Sequence, residues 1–266
     1  MFSTCLPTGR YFFLLEKLEL TVYEKYSCIF QQSMLTEKYC YLQRNFKANP
    51  GSMKHLFIAL LITPLLMFGQ TDNPFKNEVK SIQEKNDSLW DSSKPTIVFT
   101  GSSSIRFWED VQERFPEHQV LNTGFGGSQF SDLEFYLDEL ILNYEPVKVF
   151  IYEGDNDIFA KKRPRKIVQR AEYILGVLQQ RNPDMEIVLI SAKPSISRWK
   201  YRGRYRRLNR KLERLASKTE GIYFLDVWYP MLDKRKVKQD IFIEDGLHMN
   251  DKGYDIWYDV IKNYID

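Results

Sequence analysis

From residue 96 onward the chain alternates between short apolar runs and longer amphipathic stretches. The apolar runs predict strands at 96–100, 119–122, 147–153, 186–191 and 222–226. They are rich in Val, Ile and Phe and lack the polar alternation of a half-exposed strand, as expected of parallel strands covered on both faces. The stretches between them have helical spacing. Over 132–142, Leu133, Tyr136, Leu137 and Leu140 share one side; over 164–180, Ile167, Ala171, Ile174, Leu175 and Leu178 do, with Pro164 suited to a first turn. Leu208, Leu212 and Leu215 form a stripe over 205–217, and Tyr254, Trp257, Tyr258 and Ile261 another over 250–264. This order predicts a three-layer α/β domain over 95–266, a parallel sheet between helices. Residues 70–94 are polar and charged, a lead-in segment with a helix over 77–90 that packs Trp90 onto the body.

One apolar run stands outside this rhythm. Met53, Lys54 and His55 precede LFIALLITPLLMF at 56–68, followed by Gly69 and Gln70. A short basic start, an apolar centre and a small residue at its end predict a signal peptide over 53–69. The run is shorter than the roughly 20 residues a membrane span needs, and no cysteine follows it for a lipid anchor. All three cysteines, Cys5, Cys28 and Cys40, precede it. The economical reading is that translation starts at Met53 and that residues 1–52 are an upstream over-call or disordered. The mature chain would then be secreted or periplasmic, cysteine-free, without a stable membrane span, and dependent on its core for stability. A hydrophobic content of 43% supports such a core, and a net charge of +3 is too small to imply a nucleic-acid partner.

Ligands of open α/β sheets bind beyond the carboxyl ends of the strands, and the suspicious residues gather there. GSSS follows the first strand, NTGFGGSQ the second, EGDND the third and SAKPSISRW the fourth. Ser102, Ser103 and Ser104 each stand where a nucleophile would; the same run also suits a tight turn with a capping serine. Gly124, Gly126 and Gly127 let the backbone aim N–H groups at a developing negative charge, or simply build a loop. No GxxxxGK[ST] pattern supports phosphate binding. Asn156 can donate from its carboxamide, although Asp155, Asn156 and Asp157 also suit a helix cap; a calcium loop would need more oxygen ligands. Serine is a poor nucleophile until a base takes its proton. His248 can be that base, with Asp245 three residues before it to fix its tautomer and Glu244 as an alternative carboxylate. After residue 70 only His118 and His248 remain and no cysteine, a poor donor set for zinc.

In their order, GSSSIRFW, NTGFGGSQ, GDND and DGLH resemble the four sequence blocks of the SGNH (GDSL-type) hydrolase and esterase family. The resemblance runs from about residue 96 to the C-terminus. With SAKPSISRW it is closest to the branch resembling platelet-activating-factor acetylhydrolase subunits. It implies a flavodoxin-like fold of about five parallel strands. It also implies a carboxylic ester hydrolase that uses no metal or organic cofactor. By the resemblance Ser103 is the nucleophile, His248 the base and Asp245 its orienter. The oxyanion donors are the Ser103 and Gly127 N–H groups and the Asn156 side chain. Ser102 stands where the family usually has aspartate.

For the substrate, the absence of a long apolar insertion argues against a lidded lipase. Trp108, Phe125 and Phe130, close in sequence to the serine and glycine loops, are expected to line a compact pocket for a short acyl group. A small ester or an acetylated glycan is the expected partner. Alternatives are a lysophospholipase or broad short-chain lipid esterase, an acyl transferase, and a non-catalytic carbohydrate-binding module. The segment 198–214 is dense in Arg and Lys interleaved with Trp199, Tyr201 and Tyr205. It either meets an acidic polysaccharide or anionic lipid, or is the solvated face of a helix whose leucines supply the buried stripe.

Overall fold

The computed structural model describes residues 73–265; the expected signal segment 53–69 and everything before it lie outside the described residues. Each apolar run expected to form a strand does so: β1 (Thr96–Gly101), β2 (Gln119–Asn122), β3 (Lys148–Tyr152), β4 (Glu186–Ile190) and β5 (Ile222–Leu225). They form a 5-stranded sheet in the order β2-β1-β3-β4-β5, with every pair parallel. Register aligns Val98 with Leu121 and Phe99 with Phe150. It further aligns Ile151 with Leu189 and Ile190 with Leu225.

Successive strand residues point to opposite faces, so the sheet feeds two cores. Val98, Leu121, Val149, Ile151, Ile187 and Leu189 face one. Ile97, Phe99, Val120, Phe150, Tyr152, Val188 and Ile190 face the other. On the first face lie α1 (Lys76–Asp87), α4 (Phe130–Phe135), α5 (Leu137–Leu140), α7 (Pro164–Arg181) and α8 (Arg202–Ala216). On the second lie α2 (Ser103–Arg106), α3 (Val111–Arg114) and α9 (Asp251–Ile261). Between β3 and α7 runs the short α6 (Asp155–Phe159). Rings dominate the second core: Phe99 stacks on Phe150 with centroids 4.4 Å apart and meets Trp108 edge-on at 5.7 Å. Each fully buried ring of this kind contributes about 1.5–3 kcal/mol.

The sequence pattern and the structure differ in detail. The single helix expected over 132–142 is two, broken at Tyr136, whose backbone (φ −115°, ψ 28°) leaves helical geometry. The start of the first is fixed by the Gln129 N–H, which donates to Asp132 Oδ2 at 2.9 Å. A two-stranded hairpin, β6 (Leu232–Asp233) and β7 (Lys236–Val237), turns through Lys234 with φ 55°. It has no glycine to announce it. The lead-in helix ends at Asp87, and Trp90 donates from Nε1 to Thr96 Oγ1 at 3.1 Å, anchoring the segment to the start of β1. Among the described residues no helix is long and apolar enough to cross a membrane.

Candidate active site

The carboxyl end of β1 depends on Gly101. Its φ is +124°, and a Cβ there would stand 2.0 Å from the carbonyl oxygen of Tyr152 on β3. Only glycine tolerates both conditions. The chain then turns, the Ser102 N–H donates to that same carbonyl (3.0 Å), and α2 begins at Ser103. The turn sends the three serines in different directions. Ser102 is buried, and its Oγ accepts from Asn156 Nδ2 at 2.8 Å. Ser104 is buried too, and its carbonyl accepts from the Tyr254 hydroxyl. Ser103 alone reaches the histidine: its Oγ lies 2.9 Å from His248 Nε2. Of the three serines in the GSSS run, Ser103 is thus the one whose hydroxyl is within hydrogen-bond reach of the imidazole.

His248 comes from the tight loop before α9. Asp245 Oδ1 accepts the main-chain N–H groups of Leu247 (2.8 Å) and His248 (2.9 Å), and Oδ2 lies 2.5 Å from His248 Nδ1. Burial pushes the Asp245 carboxyl upward. The two backbone N–H bonds and the imidazole outweigh it and hold the group below the ordinary carboxylate value. An ionised Asp245 keeps the imidazole proton on Nδ1, so the Nε2 lone pair faces the Ser103 hydroxyl. Glu244 is exposed and takes no part in this contact. His118 precedes β2 and so sits at the opposite edge of the sheet. A hydroxyl, an imidazole and a carboxylate in this series can move a proton off the hydroxyl as its oxygen bonds to carbon.

Two loops complete the surroundings. In the glycine loop, the Phe125 N–H donates to the Gly101 carbonyl and the Gly126 N–H to Glu78 Oε1 of α1 at 2.8 Å. Glu78 Oε1 also takes Arg106 Nη1 at 2.8 Å, so the lead-in helix ties the glycine loop to the serine helix. Gly127 has φ +77° with open space where a Cβ would stand. Ser102 gives α2 no side-chain cap, so the first N–H groups of that turn stay available. After β3, the Asp157 carboxylate accepts the Phe130 N–H at 3.1 Å and pairs with Lys162 at 3.0 Å. Asn156 donates its two carboxamide hydrogens to Ser102 Oγ (2.8 Å) and Ser128 O (2.9 Å). A substrate oxygen would therefore share or displace the Ser102 contact.

The expected substrate-lining aromatics are a correction. Trp108 is 0%, Phe125 0% and Phe130 1% exposed. Trp108 packs among Phe99, Phe115, Tyr254 and Trp257, Phe125 against Phe75 and Tyr136, and Phe130 inside the first core. Proximity in sequence put them near the loops; the turns direct their rings inward. The exposed ring at the serine is Phe107, whose edge meets His248 at a centroid distance of 4.8 Å.

The basic segment also divides. Arg198 points inward to Asp155 Oδ1 at 2.6 Å. Arg202 lies over the Trp199 ring, and Arg204 donates to the carbonyls of Lys161 and Lys162. Arg206, Arg207 and Arg210 are exposed on the outer side of α8, opposite the buried Tyr205, Leu208 and Leu212. Most of the segment is thus a solvated helix face. Two site-adjacent residues escaped the sequence reading: Lys193, buried beneath the histidine loop, and the inward-turned Arg198. A lysine embedded in LISAKP, directly after a strand, was the available signal for the first.

Residues 87–256 match the family model described as the GDSL-like lipase/acylhydrolase family, well over half of the chain. The chain belongs to the GDSL-like lipase/acylhydrolase family. As a member it is a carboxylic ester hydrolase, and family members act on small ester substrates. Solved structures with the same fold include a Streptococcus pneumonia protein provisionally assigned as a platelet activating factor. It has 25% identity and a TM-score of 0.62, over 80% of this chain and 99% of that one. A GDSL-like lipase from Bacteroides thetaiotaomicron has 19% identity and a TM-score of 0.59, over 70% of this chain and 96% of that one. The acetyl xylan esterase AlAXEase has 18% identity and a TM-score of 0.56, over 64% of this chain and 100% of that one. A search of curated proteins returned no match.

Proposed function

We propose that this GDSL-type hydrolase is a secreted serine esterase that removes short acyl groups, acetyl first among them, from carbohydrate. The observation that carries the chemistry is the series Ser103 Oγ to His248 Nε2 at 2.9 Å and His248 Nδ1 to Asp245 Oδ2 at 2.5 Å. Ser103 Oγ attacks the ester carbonyl carbon as its proton passes to Nε2. The carbonyl oxygen becomes an oxyanion, held by the Ser103 and Gly127 N–H groups and the Asn156 carboxamide. Collapse expels the alkoxide, which takes the proton from Nε2. Water then attacks the acyl-enzyme by the same route and frees the acid. Each well-placed donor is worth roughly a hundred- to a thousandfold in rate.

Three points support the substrate reading. The ring beside the serine and histidine is a single exposed phenylalanine, Phe107, while Trp108, Phe125 and Phe130 are buried. One protein of the same fold is described as an acetyl xylan esterase and another as an acetyl esterase. A secretory segment at 53–69, read from sequence, would deliver the enzyme to polysaccharide. The test is hydrolysis of p-nitrophenyl acetate, butyrate and octanoate, and of acetylated xylan, beside Ser103→Ala. The expected result is turnover that falls with acyl length, acetate released from xylan, and loss of both in the variant. A preference for octanoate would replace the carbohydrate reading with a lipid one. Activity that survives Ser103→Ala would overturn the mechanism.

A further inference from the structure

Arg198 lies in the loop after β4, outside the Ser–His–Asp series, yet its side chain is turned into the site and only 11% exposed. Its Nη1 donates to Asp155 Oδ1 at 2.6 Å and to Asn156 Oδ1 at 3.1 Å. The two acceptors are neighbours on the first turn of α6. The guanidinium also lies over the Phe159 ring, 4.4 Å from its centroid, at the other end of the same short helix. Asp155 is itself fixed, by the Tyr205 hydroxyl at 2.5 Å and the Tyr152 hydroxyl at 3.1 Å. Burial pushes the Asp155 carboxyl upward, but Lys193, Arg198 and Tyr205 together hold it below its ordinary value, so the pair stays charged.

A carboxamide has an oxygen end that only accepts and a nitrogen end that only donates, and the two are nearly alike in shape. Asn156 therefore has two orientations, and only one turns N–H groups toward Ser102, the neighbour of the serine. A guanidinium has no acceptor, so beside Arg198 the oxygen end must face the guanidinium. The nitrogen end is thereby turned to Ser102 and Ser128. A cation at Oδ1 also draws charge from the amide and makes its N–H groups stronger donors.

We infer that Arg198 is a positioning residue for acyl transfer, fixing the Asn156 carboxamide with its donors toward the serine. The inference rests on the proposed role of Asn156 as an oxyanion donor. An ion pair kept this far from water gives little net stability; here its product is the orientation of a neighbour.

The test compares Arg198→Gln, Arg198→Lys, Asn156→Ala and the double variant Arg198→Gln/Asn156→Ala in the full chain, by kcat and KM on p-nitrophenyl acetate and by thermal midpoint. Arg198→Gln is expected to lower kcat by about tenfold to a hundredfold with KM within about threefold, since Gln can present either end to Asn156. Arg198→Lys keeps the charge but loses the planar fork, and is expected to fall between wild type and Arg198→Gln. The double variant is expected to be no slower than Asn156→Ala, because Arg198 acts through that side chain. Losses that multiply would overturn the inference, as would an unchanged kcat in Arg198→Gln beside a crippled Asn156→Ala. An unchanged Asn156→Ala would remove the oxyanion role of Asn156 and the inference with it. If Arg198→Gln does not fold, Arg198→Lys carries the same comparison; failure of both to fold would overturn positioning in favour of a purely structural role.

Discussion

The ammonium of Lys193 donates to the main-chain carbonyl of Leu247 at 2.5 Å, and so ties the end of β4 to the loop between Asp245 and His248. Lys193 is 1% exposed. Its pKa is lowered from 10.5 to about 8: burial is the largest cause and Arg198 acts with it, while Asp155 and Asp245 oppose them. Below about 8 the folded protein carries a charge that its surroundings as a whole penalise, on the order of 3 kcal/mol. Between about 8 and 10.5 the unfolded chain still holds this proton and the folded one has released it. Stability contributed by this residue therefore rises with pH through that window. Urea unfolding of wild type and Lys193→Met at pH 7, 8, 9 and 10 is expected to shift the difference toward wild type by about 1 kcal/mol per unit above pH 8. A difference independent of pH would show that Lys193 titrates normally.

Asp245→Asn should leave the loop folded, because the amide oxygen can still accept the Leu247 and His248 N–H groups. It can no longer hold the Nδ1 proton as a carboxylate does. The expected outcome is a fall in kcat of about a thousandfold or more with a thermal midpoint within a few degrees of wild type. A loss of less than tenfold would return the orienting role to Glu244.

Gly101→Ala places a methyl group against the Tyr152 carbonyl at a φ of +124°. Strain and overlap together should cost about 3 kcal/mol or more. The denaturation midpoint measures it; near-wild-type stability would mean that the β1 to β3 approach is looser than described.

Trp108 and Phe107 are neighbours in sequence with opposite expected phenotypes. Trp108→Ala empties a core site and should cost about 3–5 kcal/mol, with KM unchanged at temperatures where the variant is folded. Phe107→Ala removes a 39% exposed ring from beside His248. It should alter KM or kcat on short esters while shifting stability by less than about 1 kcal/mol. The reverse pattern would restore Trp108 to the substrate surface.

The five strands were legible because buried parallel strands leave short apolar runs at regular intervals, unlike the single 13-residue run at 56–68. Their edges then placed GSSS, NTGFGGSQ and GDND together without further information. What the sequence withheld was direction. Nothing in the letters says that Trp108 turns into the second core while Phe107 stays at the surface, since the choice is made by the turn between α2 and α3. The GSSS run likewise could not say which hydroxyl meets the histidine; that follows from the Gly101 backbone. Arg198 was hidden for a different reason. It sits in a run of basic residues whose other members mostly face water, and only its contacts with Asp155 and Asn156 separate it from them.

Glu78 carries a consequence for how this enzyme can be cut. The family-matched span starts at residue 87, the last residue of the helix that supplies Glu78. A fragment trimmed to that span would keep Ser103, Asn156, Asp245 and His248. It would also free the Gly126 N–H and the Arg106 guanidinium, which meet at a single carboxylate oxygen. The segment that reads as a leader to the domain is, for the glycine loop, an outside brace.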